Sequence, residues 1–142
     1  MPIPFEYQNA SLEFERFMLD ARDFAGLATT NMAWNMVVGV LHTFRRRLTI
    51  DQGLAFAAVL PPVLRALFLE HWDVHEPPVE FASPEALLAE VRAVRHEHNF
   101  SPPNAIAAVA AALRRHVDTG RLDQVLSALP EEARQYWSSS PA

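Results

Sequence analysis

No cysteine occurs in the chain, which excludes disulfides, thiolate nucleophiles and cysteine-bound metals. Lysine is missing as well. All twelve basic residues are arginine, and against seventeen acids they leave a formal net charge of −5. A chain of that sign meets nucleic acid only through a local basic patch, against its overall field. Glycine is scarce, four residues against eleven prolines, so the sequence specifies few permissive turns and many sharp element starts. The sequence has no GxSxG, no glycine-rich phosphate loop and no HExxH. The reading therefore leans away from an enzyme, and no cofactor is implied. The opening MPIPFEYQNASLEFERF carries acids and no basic stretch, unlike a secretory leader.

What is present is a folded domain. The 142 residues are 50% hydrophobic and 20% charged, enough for one real core and too few for two ordinary ones. One stretch, residues 24–44, runs 21 residues without a formal charge, close to a membrane span in length. It contains Thr29, Thr30, Asn31, Asn35 and His42, so a buried helix is the better reading and no membrane is expected.

The dominant feature is internal. Residues 35–68 align without a gap on residues 104–137, a shift of 69 positions. Identical pairs include Asn35/Asn104, Val40/Val109, Arg45/Arg114, Arg46/Arg115, Leu60/Leu129, Pro61/Pro130 and Arg65/Arg134. Apolar positions keep step between them, as in Phe44/Leu113, Phe56/Val125 and Phe68/Trp137. An earlier helix matches too, at a shift of 73, through Phe14/Leu87, Met18/Val91 and Ala21/Val94.

Helical periodicity and capping residues then give about eight helices. Residues 1–10 form an extended arm, and Ser11 caps a first helix through about residue 24. The second, about 31–47, is apolar all round: it is either the central rod of the domain or has one flank against a second subunit. Thr49 and Gln52 make a capping box for the third, and Pro61 opens the fourth, which frays near Trp72. Residues 73–82 are a connector, stiffened by Pro77-Pro78. Ser83-Pro84-Glu85 opens a fifth helix to about residue 98, and Ser101-Pro102-Pro103 a sixth whose back is alanine-rich. Asp118 or Thr119 caps the seventh, Pro130 starts the eighth, and residues 138–142 are expected to be loose. The expected fold is all-α. It is a single compact domain of two tandem four-helix repeats, about 11–72 and 83–137, related by a pseudo-two-fold axis.

The run Leu60-Pro61…Leu64-Arg65-Ala66-Leu67-Phe68…Trp72, followed by Leu129-Pro130-Glu131-Glu132…Trp137, resembles the bacterial family catalogued as domain of unknown function 2267, over roughly residues 11–137. The resemblance implies a small all-helical cytoplasmic protein. It carries no activity and no functional residues with it.

Three sets of side chains are candidates for function. His71, His75, His96 and His98 offer divalent-metal ligands, or are solvated histidines near helix ends. Arg45, Arg46, Arg114 and Arg115 offer anion or nucleic-acid binding, or neutralise helix C-termini. Trp34, Trp72 and Trp137, with Met32 and Met36, offer anchors for a protein partner or a second copy, or complete the core. Arg65 and Arg134, recurring within the fourth and eighth helices, suit a structural role toward a carboxylate or open carbonyls. The leading expectation is a non-enzymatic interaction or self-associating module.

Overall fold

Side-chain caps at Thr29, Thr49, Ser83 and Asp118 set four of the helix starts in the computed structural model, which describes residues 2–138. The described residues contain nine α-helices, one 3-10 turn and no β-strand. The ninth helix comes from the N-terminal segment. Instead of an extended arm, Pro4 leads into a one-turn helix, α1 (Phe5–Gln8), with Glu6 in its first turn. Proline suits a helix start, and an acid there meets the positive end of the helix dipole. Asn9, not Ser11, stands at the N-cap of α2 (Ala10–Ala25).

α2 stops at Gly26, whose φ of 73° is left-handed and whose N–H reaches back to the carbonyls of Arg22 and Asp23. Thr29 then caps α3 (Thr30–Arg45) by accepting from the Met32 N–H at 3.2 Å. The chain bends by 91° between α2 and α3. The uncharged stretch 24–44 is thus divided between two helices, and among the described residues no single helix is long and apolar enough to cross a membrane. α3 is the central rod: Ala33, Met36, Val37, Val40, Leu41 and Phe44 are buried, and so are Asn35, Gly39 and Thr43.

The capping box of Thr49 and Gln52 opens α4 (Ile50–Ala57). Pro61 is the N-cap of α5 (Pro62–Leu69), which ends at Glu70, short of Trp72. Ser83 caps α6 (Pro84–Ala93). This helix stops before the expected residue 98, because the Asn99 side chain takes the Val91 and Val94 carbonyls at 2.8 and 2.9 Å. Arg95 turns left-handed into a 3-10 turn, His96–His98. α7 (Ala105–Arg114), α8 (Thr119–Ser127, capped by Asp118) and α9 (Glu131–Tyr136, after Pro130) complete the chain. Of the tail expected to be loose, residues 139–142 lie outside the described residues.

Packing crosses between the halves of the sequence. The most extensive contacts are α2 with α7 and α3 with α6. The alanine face of α7, including Ala105, Ala108 and Ala112, is buried and lets a neighbouring helix come close. Phe44 sits among Phe56, Tyr136 and Trp137, and Phe56 stacks on Trp137 with ring centroids 5.3 Å apart.

Two arginine positions repeat their hydrogen bonds at the same shift as the sequence. Arg65 donates to the carbonyls of Ala57 and Leu60, at 3.2 and 2.9 Å. Arg134 donates to those of Leu126 and Leu129, at 3.4 and 2.8 Å. Each guanidinium closes the open C-terminal carbonyls of the helix before its own. Arg45 likewise donates to the Phe68 carbonyl at 2.7 Å, and Arg114 to that of Trp137 at 2.8 Å.

Candidate functional site

The paired arginines all have partners inside the chain. Arg45 is buried, bonded also to the Glu70 carbonyl at 2.8 Å and placed 5.5 Å over the Trp72 ring. Arg46 pairs with Glu90, as does Arg47. Arg114 adds an ion pair with Asp123 at 3.0 Å, and Arg115 pairs with Asp20 at 3.1 Å beside the Phe24 ring. Their charge is met by protein groups at different places.

The candidate metal ligands are dispersed. α5 ends before His71, so His71 and His75 do not share a helical face. His71 has a left-handed backbone, φ 59°, and contacts Glu70 at 3.1 Å. His75 is exposed in the connector, and His96 and His98 are exposed on the 3-10 turn. Among the described residues no group of three or more His, Cys, Asp or Glu is arranged to hold a metal ion.

A histidine that sequence reasoning passed over is better furnished. His116 contacts Glu13 through Nδ1 at 2.5 Å and Asp20 through Nε2 at 2.6 Å. The two carboxylates thus take up both ring nitrogens. The cluster fastens the end of α7 to α2. No local pattern announces it, because its partners lie 103 and 96 residues away.

Of the proposed anchors, Met36 and Trp137 are wholly buried and belong to the core. Trp72 is partly buried, edge-on to Phe68, and Met32 is partly buried. Trp34 is different: it is 37% exposed and meets Phe14 edge to face, centroids 6.0 Å apart. It lines a groove of about 670 Å³ in the angle between α2 and α3. That volume is within the roughly 300–1,000 Å³ typical of ligand sites.

The groove follows from the turn at Gly26. α2 contributes Leu12, Phe14, Met18 and Leu19, with Glu15 and Arg16; α3 contributes Thr30, Asn31, Trp34 and Asn35. Arg95 closes it from the turn after α6. Leu12 and Leu19 are 44% and 42% exposed, so with Trp34 they make an apolar lip open to solvent. Below it, Asn35 is 6% exposed; its Nδ2 donates to the His98 carbonyl at 2.9 Å, while its Oδ1 is buried with no partner. Asn35 was visible in the sequence as a repeated residue in an apolar helix, whereas nothing local marked Arg16 or Arg95.

Residues 14–136 match the model of a family described as "Uncharacterized conserved protein (DUF2267)". The chain belongs to this family. Within this DUF2267 chain the matched span takes in most of the groove, from Phe14 through Asn35 to Arg95, and leaves out α1 and Leu12. No curated protein matches the chain.

Proposed function

We propose that this protein is a non-enzymatic interaction module, and that the groove between α2 and α3 receives an apolar segment of a partner polypeptide. The observation that carries the reading is Trp34. It is a large aromatic left 37% exposed beside Leu12 and Leu19 on one groove, whereas the other exposed aromatics, Phe5, Tyr7, Phe24 and Phe100, do not line it. Tryptophan in a partly formed pocket, ringed by apolar neighbours, is the composition of a binding hot spot. The all-round apolar character of α3 no longer calls for a second subunit, since the helix is enclosed by its own chain. The part of α3 left open to a partner is its first turns, at Asn31 and Trp34.

The test is selection of a peptide-display library on the full chain, with Trp34→Ser alongside. Peptides with apolar anchors are expected to be enriched, and Trp34→Ser to cost about 2 kcal/mol or more of their binding. Equal enrichment on both proteins, or none on either, removes the reading. Light scattering over a range of concentrations identifies the case in which the occupant is a second copy: a mass increase abolished by Trp34→Ser.

A further inference from the structure

We infer that the α2–α3 groove recognises the free carboxyl terminus of a polypeptide ending in apolar residues. This rests on the reading of the groove as a partner's seat and supplies its chemistry. Three independent features define that chemistry.

The first is the apolar surface of Phe14, Met18 and Trp34, which suits a hydrocarbon side chain. The second is charge. Of the twelve arginines, only Arg16 and Arg95 have a guanidinium with no hydrogen-bond or ion-pair partner among the described residues, and both residues are exposed. Both line this groove, where Glu15 is the single acid. In a chain with seventeen acids to choose from, two unpaired guanidinium groups on one groove mark a place for an external anion. A guanidinium presents a planar fork of N–H donors matched to a carboxylate. The backbone of Arg95 is left-handed, φ 48°, an unfavourable conformation for a residue with a side chain. Its turn is held by Asn99 at the end of α6 and by Asn35 across from α3.

The third feature is the buried, unpartnered Oδ1 of Asn35. Rotating the amide would turn an oxygen toward the His98 carbonyl, so the free atom is the acceptor. A buried acceptor without a donor is costly; Asn35 lines the groove, its oxygen is closed off from solvent, and an occupant's N–H reaches it only when the Asn35 side chain shifts on binding. The last residue of a polypeptide carries an apolar side chain, a backbone N–H and a carboxylate on a single Cα. An ionised fatty acid lacks the N–H; an internal segment lacks the carboxylate.

The test uses the full chain labelled with nitrogen-15, following the Trp34 indole cross-peak. Three probes are compared: an acetylated tetrapeptide ending in leucine with a free carboxylate, the same peptide as its C-terminal amide, and octanoate. The free-acid peptide is expected to bind about tenfold more tightly than the amide, a ratio that salt reduces. Arg16→Gln and Arg95→Gln should each lower free-acid affinity and leave amide affinity unchanged. Octanoate should bind more weakly than the free-acid peptide. Equal binding of acid and amide overturns carboxylate recognition while leaving the groove as an apolar seat. Octanoate binding as tightly as the peptide overturns the N–H requirement and with it the polypeptide terminus. If none of the probes moves the Trp34 signal, and display selection also fails, the seat itself is wrong.

Discussion

At the scale of single residues, His42 makes the most consequential choice of protonation state. Its Nε2 lies 2.8 Å from the Leu67 carbonyl, which can only accept, so Nε2 carries a proton. Burial holds its pKa below the ordinary 6.5, reinforced by Arg45 and opposed by the Leu67 bond and Glu70. As pH falls through 6.5 the unfolded chain takes up a proton that the folded chain still refuses. The stabilisation is therefore complete above 6.5 and is lost as pH falls through the lower, folded value. Glu90 acts in the next window down. The Arg47 hydrogen bond, helped by Arg46 and opposed by burial, holds its carboxyl below the ordinary 4.5, so its contribution is present above that value and lost below it. Denaturant unfolding from about pH 7.5 to 5.5 tests the first window. The stability of the wild type relative to His42→Gln should rise with pH across it, since glutamine can still donate to Leu67 but does not titrate. A difference that stays flat would mean that His42 is not kept neutral by the fold.

At the scale of elements, the close approach of α3 and α6 turns on Gly39. A Cβ there would lie 2.6 Å from the Val91 carbonyl oxygen and 3.1 Å from Val91 Cγ1. A backbone oxygen cannot swing aside, so α6 as a whole has to shift. Gly39→Ala gains up to about 1 kcal/mol in helix propensity but incurs an overpacking cost of about 1–3 kcal/mol. We expect net destabilisation, read as a lower thermal midpoint, with movement of resonances at the Arg95 turn that follows α6. A variant as stable as the wild type would show that the two helices are not pressed together here. The same scale explains what was legible in the sequence. The starts at Thr49–Gln52, Ser83 and Asp118 could be read because a cap is made by residues three apart. The stop at Ala93 could not, since Asn99 enforces it from five and eight residues downstream and Asn35 braces it across 63. Trp34 was recognisable as a possible anchor by residue type. Arg16 and Arg95 were not, because an unpaired arginine is recognised only once the others have found distant partners, as Arg46 finds Glu90 and Arg115 finds Asp20.

At the scale of the whole molecule, each half finds its main partner in the other: α2 on α7, and α6 on α3. The duplicated bonds of Arg65 and Arg134 support the reading of the halves as copies of one unit. Copies need not be interchangeable. At matched positions α3 buries Met36, Leu41 and Thr43 where α7 buries Ala105, Ala110 and Ala112. A second α3 placed in the site of α7 would bring several extra side-chain carbons into space sized for methyl groups, and close-packed interiors do not accommodate that without strain. Neither half alone reaches the size at which one apolar core usually suffices, and helices of 16 residues or fewer are marginal in water without tertiary contacts. Cutting the chain between Glu76 and Pro77 should therefore give two fragments that each lack a cooperative thermal transition by circular dichroism. Mixed in equal amounts, they should regain one, and sedimentation should find a one-to-one complex and no paired first halves. A first half that melts cooperatively alone, or pairs with itself as tightly as with the second, would mean that the small residues of α7 are not what fixes which helix α2 accepts.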